Sequence, residues 1–479
     1  MRVCIVGGGV TGALVALYLQ KYKSDWSITL VENPNISPLP VGENLHRNTF
    51  KFLCDVINQP WQQTIRELID LNCTIKLGTR YSGWSDKSWF VPHSKISNND
   101  SIKLHNAWLA TTKDKNNLQA YYKSVYPDVI ECITNNTIAE DYMNRSVDLC
   151  CMCVDATQIS SYLKSKFNGN IIHGNIIGIE RDNNKLNHIT LEDGRQIKAD
   201  LFFDCTGFKR LLIKEFSKFK SIETAVVNSA YVGPVKHPDS IVPVAVNIDA
   251  LNNGWMFKIP MQHRNGIGYV FNDQLTDLDI IKEEYHSLTG EHNNKILLKW
   301  DPVETDLPWN SNVISLGLSS FWNEPLMGTS FELTTKSISH FMLYYEKSGM
   351  HGSIEYNDWF VTQCDLIKTQ LLACYFYCTK NHNNFWQYAR EKGRSHSIHE
   401  KVVYLANGGF TELLKKYPGL MWSQVYYEMF SLCSGVKGVN LNKTCDEETI
   451  TWANSYWNKP INSNFISSNK FYSLLKGEV

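Results

Sequence analysis

A glycine-rich loop near the N-terminus carries the residue pattern with the clearest chemistry. The opening MRVCIV predicts a short buried strand, residues 7–12 (GGGVTG) form the loop, and the following ALVALYL has helical character. In this order the GxGxxG spacing is typical of dinucleotide sites, because Gly7 permits a tight turn, Gly9 lets the backbone approach a pyrophosphate, and Gly12 lets the helix pack closely. The phosphates are expected at the positive end of the helix. A glycine-rich turn without a ligand is the alternative. The predicted cofactor contacts here are Gly7, Gly9, Val10, Thr11, Gly12 and Ala13.

Two acids at strand ends extend this prediction. The run SITLV predicts a second strand that ends at Glu32, twenty residues beyond Gly12, where an acid can accept the ribose hydroxyls. A later strand, LFF, ends at Asp204 and continues into Cys-Thr-Gly207 after a hairpin-like pattern. This D-x-x-G resembles the second signature of FAD-binding folds of the glutathione-reductase type, which NAD-only dehydrogenases normally lack. We therefore expect FAD, with Glu32, Asp204 and Gly207 among its contacts.

Composition excludes several other classes of protein. The chain has 479 residues, 43% of them hydrophobic and 20% charged, which is typical of a globular protein with a sizeable core. Its net charge of −1 shows none of the excess positive charge that is typical of nucleic-acid-binding proteins. The 13 scattered cysteines favour reduced, intracellular thiols over a disulfide framework. The uncharged run 3–19 is short for a membrane span and is explained by the glycine loop. We expect a soluble, cytoplasmic protein with no membrane and no nucleic-acid partner.

Five further segments follow in order: residues 41–43 (VGE), 74–78 (TIKLG) with Trp84, 254–260 (GWMFKIP), 309–317 and 324–330 (EPLMGTS). With the GxGxxG, their order and spacing resemble the flavin-dependent tryptophan halogenase family from residue 1 to about 335. Beyond that the match is vaguer, although Asn381–Trp386 is similar to a family helix. The Lys-rich, Arg-poor and Asn-rich composition fits a divergent member, such as one of phage type.

The resemblance implies an oxidoreductase that uses FAD, received as FADH₂ from a separate flavin reductase, together with oxygen, a halide ion and a small aromatic substrate. In this family halide is oxidised to hypohalous acid, which passes through an internal tunnel to a lysine beside the substrate. The chemistry of oxidation belongs to the cofactor, while the protein positions, shields and relays. Further cofactor contacts that the resemblance implies are Gly42, Glu43, Ile176, Leu318, Leu326 and Phe331.

Lys76 matches the family lysine. Its ammonium can donate a hydrogen bond to hypohalous acid, or its amine can form a haloamine, and a flexible stem with a movable pKa suits both roles. Its apolar neighbours in CTIKL favour burial, and a solvated surface lysine is the alternative. We therefore predict that Lys76 is the catalytic residue.

The segment GWMFKIP matches the family pattern W-x-W-x-I-P in part. The shielding residues that it implies are Trp255, Phe257, Ile259 and Pro260. The motif is thought to crowd the flavin so that an organic substrate cannot reach it directly. Phe257 replaces the second tryptophan, which keeps the apolar character and loses the indole N–H. Suppression of hydroxylation is then less secure, so a flavin-dependent aromatic monooxygenase, a hydroxylase, is an alternative function.

The segment EPLMGTS departs from the family pattern D-P-L-E-S-T-G, because Met327 replaces the glutamate. A thioether cannot accept a proton or stabilise a cation by charge. The family's halide ligands are backbone N–H groups that fall at Thr329 and Ser330, and backbone donors survive side-chain changes. We expect bromide or iodide to be favoured over chloride, with electron-rich rings such as phenols, indoles and anilines as substrates. Glu324 or Glu332 is the acid that could compensate.

Several remaining residues could have either a functional or a structural role. Phe90, Trp452 and Trp457 could line the substrate pocket with Met327, or could serve core packing. The sequence Cys150-Cys-Met-Cys153 predicts a packed strand, since no second ligand pair stands at zinc spacing, and no metal is expected. His46 could line the flavin site or be an ordinary loop histidine.

The expected fold is α/β, a glutathione-reductase-type FAD-binding fold with an interleaved substrate β-sheet and a mostly helical C-terminal region. The expected parts are a discontinuous FAD-binding part (1–95, 150–217 and 303–336), a helical and loop insertion (96–149), a substrate-side sheet (218–302) and a helical region (337–479). A non-catalytic flavin-binding protein is a further alternative, and a homo-oligomer is compatible with the sequence.

Overall fold

A computed structural model describes residues 1–36, 42–85, 88–93, 96, 98–115, 117–145, 150–237, 241–291, 293–378, 383–417, 437–457, 461 and 463–478. Val41 of the VGE segment and Asn381 of the family-like helix lie outside these ranges. The strands are β1 Arg2–Val6, β2 Ser27–Glu32, β3 Gly42–Leu45, β4 Thr74–Ile75, β5 Gly78–Ser82, β6 Trp89–Pro92, β7 Thr137–Ala139, β8 Met152–Asp155, β9 Asn170–His173, β10 Ile176–Asp182, β11 Lys185–Leu191, β12 Gln196–Lys198, β13 Leu201–Asp204, β14 Lys220–Ser221, β15 Ser229–Val235, β16 Ala245–Ala250, β17 Gly254–Pro260, β18 Asn265–Phe271, β19 Ile296–Lys299, β20 Val303–Glu304, β21 Trp309–Asn310, β22 Val313–Ser315, β23 Phe321–Trp322 and β24 Phe465–Ser467.

The helices alternate with these strands in the first half of the chain and dominate after residue 329. They are α1 Val10–Tyr22, α2 Arg47–Val56, α3 Trp61–Asp70, α4 Asn98–Thr111, α5 Leu118–Val125, α6 Pro127–Asn135, α7 Ala156–Ser165, α8 Leu278–Thr289, α9 Thr329–Ser348, α10 Ser353–Phe376, α11 Asn384–Ser395, α12 Ile398–Tyr404, α13 Phe410–Lys416, α14 Glu447–Asn454 and α15 Ser468–Lys476. Among the described helices, none combines the length and the apolar character that crossing a membrane requires.

The first compact unit comprises residues 1–71, 154–225 and 300–366. Its main sheet has the order β21-β22-β13-β1-β2-β9, in which β1 runs parallel to both β2 and β13. Parallel neighbours need a crossover, and α1 supplies it between β1 and β2 before packing against α7 and α9. Strands β10, β11 and β12 form a separate antiparallel sheet. The apolar side chains of β1, β2, β11 and β13 share one buried core, so the glycine loop rests on a rigid base.

The second compact unit comprises residues 72–153, 226–299 and 367–479. Its sheet has the order β19-β15-β18-β17-β16-β5-β6, antiparallel except where β5 runs parallel to β16. Successive side chains of a strand point to opposite faces. Met256 therefore joins the core that the sheet forms with Ile281 and Tyr285 of α8, while Trp255 and Phe257 lie on the other face.

These sheets and helices confirm the predicted α/β class, with an interleaved second sheet and a largely helical C-terminal region. Within the described ranges, no cysteine forms a disulfide. In the part of the chain that the structure describes, no group of three His, Cys, Asp or Glu side chains is arranged to hold a metal ion.

Candidate active site

The glycine loop, residues 7–12, divides its glycines between two tasks. Gly7 has a φ of +109°, and a Cβ added there would lie 2.3 Å from the Cys205 carbonyl oxygen. A Cβ on Gly12 would lie 1.9 Å from the Gly7 carbonyl oxygen. Gly9 is the N-cap of α1, and a Cβ added there would have no heavy atom of the described residues within 4 Å. Gly7 and Gly12 therefore allow close packing, while Gly9 leaves room for a phosphate at the positive end of the helix.

Glu32 lies against this loop at the end of β2. Its Oε2 accepts a hydrogen bond of 2.7 Å from Lys164 Nζ, and His173 Nδ1 is 3.5 Å from Oε1. A Cβ on Gly8 would lie 1.8 Å from Oε2, so the carboxylate occupies the space that the glycine leaves. Lys164 on α7 was missed in the sequence analysis, since no local motif connects a helix 132 residues away with this acid.

Asp204 is fully buried and organises the turn that follows β13. Its Oδ1 accepts hydrogen bonds from the backbone and hydroxyl of Thr206 (3.0 and 2.7 Å), and its Oδ2 accepts from the N–H groups of Leu212 and Ile213 (2.8 and 2.9 Å). These four donors hold both carboxylate oxygens within the protein. The contribution of Asp204 to a cofactor site therefore goes through the turn it shapes, which contains Gly207 with a φ of +61°.

Three segments meet beside the first turn of α1. Gly317 has a φ of +65°, and a Cβ there would lie 2.8 Å from Thr11 Oγ1 and 3.3 Å from Thr334 Oγ1. Ser319 Oγ also donates a hydrogen bond of 3.3 Å to the Gly207 carbonyl. The half-buried Leu318 lies between them on this turn. The structure thus brings the loop, the D-x-x-G turn and the 317–319 turn together, as a dinucleotide cradle requires.

The turn predicted to bind halide, residues 326–330 (the halide turn), leads into α9. Leu326 is buried, Met327 has φ +71° and ψ −4°, and Gly328 has φ +62° and ψ 39°. Thr329 returns to the right-handed region with φ −71°. The step from left-handed Gly328 to right-handed Thr329 directs successive N–H groups into one concavity, and the dipole of the 20-residue helix adds positive potential there. The amides of Thr329 and Ser330 therefore suit an anion. Phe331, buried, completes this first helical turn.

Polar groups of the β3–α2 region flank the halide turn. A Cβ on Gly328 would lie 3.5 Å from both Asn44 Nδ2 and the Nε2 of the buried His46. Glu332, also buried, accepts a hydrogen bond of 3.1 Å from Asn48 Nδ2. Gly42 begins β3, and desolvation raises the pKa of the adjacent Glu43 to about 7. The site thus has a carboxyl group that titrates near neutral pH.

The lysine segment, residues 74–77, is held by a different part of the chain at each residue. Lys76 is 2% exposed, as its apolar neighbours predicted. The contacts are Thr74 Oγ1 to the Pro260 carbonyl (2.7 Å), Ile75 N–H to Tyr472 Oη (3.0 Å), Lys76 N–H to the Cys151 carbonyl (2.8 Å) and Leu77 N–H to the Val244 carbonyl (2.7 Å). The first of these contacts joins the segment to the end of GWMFKIP, where Ile259 and Pro260 are buried. Tyr472 on α15, which anchors the lysine segment, belongs to no motif that could be recognised in the sequence.

Three tryptophans of the second unit, Trp84, Trp255 and Trp386, form a buried aromatic cluster around Tyr375. Trp255 donates a hydrogen bond of 2.8 Å from Nε1 to Tyr375 Oη, and Trp84 packs edge-on against Trp386 at 5.4 Å between ring centroids. The Phe257 ring fills the space above Gly268, where an added Cβ would lie 2.3 Å from its Cζ. Tyr375 was not identified from the sequence, and Trp386 was named only as the end of the family-like segment, because their contacts with Trp255 and Trp84 join segments distant in the chain.

Three predicted pocket residues, Phe90, Trp452 and Trp457, lie elsewhere in the second unit, and the predicted cofactor contact Ile176 lies in the core of the first unit. Phe90 on β6 is half-buried, and the Arg80 guanidinium lies 5.8 Å from its ring centroid. Trp457 packs edge-on against Trp108 of α4, and Lys103 of α4 lies 5.9 Å from the Trp452 ring. Ile176, at the start of β10, packs against the apolar core of the first unit. Trp452 and Trp457 therefore both lie beside α4.

Comparisons with known proteins agree on one family. The family model described as tryptophan halogenase matches residues 2–437. The tryptophan 7-halogenase RebH of Lentzea aerocolonigenes is 24% identical over 433 residues, covering 84% of this chain and 81% of the relative. The tryptophan 6-halogenase SttH of Streptomyces toxytricini is 22% identical, covering 84% and 83%.

Solved structures show the same fold. The tryptophan halogenase of Shewanella frigidimarina superposes with a TM-score of 0.83 at 18% identity, covering 100% of this chain and 98% of that one. The residues of the glycine loop, of the turns beside it and of the halide turn fit FAD and a halide. From its match over nearly the whole length of the chain, this protein belongs to the tryptophan halogenase family and is a flavin-dependent halogenase enzyme.

Proposed function

We propose that the enzyme halogenates an electron-rich aromatic substrate through Lys76, with bromide or iodide preferred over chloride. The observation that carries this proposal is the buried ammonium-bearing side chain of Lys76 on a segment fixed at four consecutive residues. A rigidly positioned group of this kind can polarise hypohalous acid or carry the halogen as a haloamine. The alternative of a solvated surface lysine does not fit a residue with 2% exposure.

The first unit is proposed to hold the cofactor. FAD, received as FADH₂ from a separate flavin reductase, supplies the two-electron oxidation of halide with oxygen. The glycine loop and Glu32 would bind its adenosine diphosphate part, and the 207 and 317–319 turns would complete the cradle. Thr329 and Ser330 would hold the halide through their amides, which needs no particular side chain.

Met327 supports the halide preference. A thioether at the family's glutamate position offers neither a proton acceptor nor a charge to stabilise a ring cation. Without that help, halides that are oxidised more easily and rings that react more readily are favoured. Trp452, Trp457 and Phe90 are proposed to contact the aromatic substrate. We further propose that the enzyme works in the cytoplasm.

Phe257 favours a second candidate function, hydroxylation of the aromatic substrate. Its ring fills the room above Gly268 but is smaller than the indole of the family pattern. Shielding of the flavin by GWMFKIP is then weaker. A hydroxylase would insert oxygen without any halide, which separates the two functions in a single experiment.

A mass-spectrometric turnover panel tests the proposal. FAD, a flavin reductase, NADH and air are supplied with chloride, bromide or iodide in turn, over mixed indoles and phenols, with catalase and a no-enzyme control. Wild type is compared with Lys76→Ala and with Lys295→Ala, a half-buried lysine of the same unit, as the matched control. A halide-specific mass shift that only Lys76→Ala abolishes supports the proposal. Oxygenated product without halide supports the hydroxylase, and product retained by Lys76→Ala contradicts the role of Lys76.

A further inference from the structure

The cysteine-rich sequence Cys150-Cys-Met-Cys153 forms the strand that pairs with the lysine segment. β8 runs antiparallel to β4, with Thr74 opposite Cys153 and Ile75 opposite Met152. The hydrogen bond of 2.8 Å from Lys76 N–H to the Cys151 carbonyl continues this ladder by one residue pair. A motif that has no part in the halogenase proposal therefore has a defined position beside the catalytic lysine.

The register places thiols on the same face as Lys76. Side chains directly opposite in an antiparallel pair share a face, and alternate residues along each strand return to it. Thr74, Lys76, Cys151 and Cys153 thus share one face, while Ile75 and Met152 point to the other. Cys153 is the diagonal neighbour of Lys76, a spacing of about 7–8 Å between backbones that a long side chain can bridge. Both side chains are buried.

Electrostatics is consistent with this proximity. Burial raises the pKa of the Cys153 thiol to about 11, and the positive charge of Lys76 opposes that rise. The residue is therefore a thiol at neutral pH and reacts slowly with mild oxidants, for which the thiolate is the nucleophile. Hypohalous acid is a much stronger electrophile. By the proposed function it arrives at Lys76 itself, so the oxidant need not enter from solvent at the thiol.

We propose that Cys153 and Lys76 form an oxidation-sensitive pair that closes into a sulfenamide cross-link when hypohalous acid reaches Lys76 without an aromatic acceptor. The thiol first takes the halogen, giving a sulfenyl halide and water. The Lys76 ammonium gives a proton to water and its amine attacks sulfur, so that an S–N bond forms, the S–halogen bond breaks, and halide and a second proton leave to water. Overall one thiol, one amine and one hypohalous acid give the sulfenamide, water and hydrogen halide. Sulfur loses two electrons and the halogen gains them.

The cross-link removes the amine that the halogenation needs, so unproductive oxidation switches the site off. Two equivalents of an external thiol restore Cys153 and Lys76 by reducing the S–N bond, which gives back the thiol and the amine and leaves a disulfide of the reductant. This inference rests on the proposed function, since the proposed halogenation supplies the oxidant.

The test follows the full-length enzyme during turnover with bromide, FAD, a flavin reductase, NADH, air and catalase. Without an aromatic substrate, peptide mass spectrometry should show Cys153 joined to Lys76 with the loss of two hydrogen atoms. Dithiothreitol should release the link and restore bromination. Omission of bromide or saturation with indole should suppress it. Cys153→Ala should prevent the link and lengthen the active lifetime several-fold, whereas Cys54→Ala, a buried thiol of the first unit, should behave as wild type.

The outcomes separate this inference from the proposed function. Aromatic bromination with no cross-link in the substrate-free arm overturns the inference and leaves the halogenase proposal intact. A link to Cys151 in place of Cys153 also overturns it. If no halide gives any product, the proposed function fails. A parallel experiment adds hypobromous acid as a reagent and shows whether Cys153 and Lys76 can form the cross-link at all. A cross-link that forms with the reagent but not during turnover contradicts the proposal that the enzyme's own hypohalous acid forms it.

Discussion

The halide turn of the first unit presents backbone amides, whereas the lysine segment of the second unit presents a side chain. The first is built from five consecutive residues and the start of a helix. The second depends on partners at residues 151, 244, 260 and 472. A site made of backbone amides should tolerate exchange of side chains, such as methionine for the family's glutamate at Met327, whereas a site made of one side chain depends on everything that fixes its strand. The two halves of the proposed chemistry should therefore fail in different ways.

The largest effect is expected at the glycine loop. Gly7→Ala places a Cβ 2.3 Å from the Cys205 carbonyl oxygen at a φ of +109°, and should cost about 3 kcal/mol or more of the free energy of unfolding. Gly9→Ala is the matched control, since its Cβ has open space, and should keep the stability while weakening FAD binding. Chemical denaturation and FAD fluorescence titration measure both. Equal destabilisation by the two variants would contradict the division of tasks among the glycines.

The pH dependence of the first unit is expected next. Desolvation raises the pKa of Glu43 from 4.5 to about 7 in the folded protein, so between these values the folded state binds more protons than the unfolded state. Stability should then fall as the pH rises from about 4.5 to 7, by at most about 3 kcal/mol. Glu43→Gln should remove this slope. Urea unfolding of both proteins across the range tests it, and identical slopes would disprove the assignment.

A substitution that loosens the lysine segment should cost less stability than Gly7→Ala, and its main effect should be on activity. Tyr472→Phe removes the partner of the Ile75 N–H and leaves a buried donor unsatisfied, at a cost of about 1–3 kcal/mol. We expect kcat for halogenation to fall while KM for the aromatic substrate and FAD binding stay near wild type. Tyr285→Phe is a control, since Tyr285 is also a buried tyrosine of this unit and lies on α8. A matching loss of kcat in the control would indicate a general packing effect.

The smallest stability effect is expected at Met327. Its φ of +71° is unfavourable for a residue with a side chain, so Met327→Gly should raise the stability by about 1 kcal/mol. Thermal unfolding measures this change. Met327→Glu, which restores the family's acid, should shift the ratio of chlorinated to brominated product towards chlorine in a competition assay. An unchanged ratio would show that the thioether does not set the halide preference.

Prediction from the sequence succeeded where local structure follows from local spacing. The GxGxxG loop lies between β1 and α1 as expected, because tight turns and helix starts are determined by neighbouring residues. Lys76 is buried as its apolar neighbours indicated. Asp204 was expected as a cofactor contact, yet both of its oxygens accept hydrogen bonds from the protein. Spacing alone could not distinguish a ligand from a residue that shapes the turn.

The residues that the sequence did not reveal are those whose partners are distant in the chain. Lys164 reaches Glu32, Tyr375 reaches Trp255, and Tyr472 reaches Ile75 across 397 positions. No local periodicity encodes such contacts, since they form only when separate elements pack. The same holds for Cys153, whose place beside Lys76 depends on the register of β8 against β4.

The sequence by itself determined the family, and it predicted the FAD loop, the catalytic lysine and the altered halide turn, because each is a run of adjacent residues with a fixed chemical identity. Only the tertiary structure decided which groups hold that lysine, which oxygens of Asp204 are already satisfied, and which thiols share its face. Those features depend on strand pairing and helix packing, where the burial of many apolar side chains sets positions that no single segment specifies.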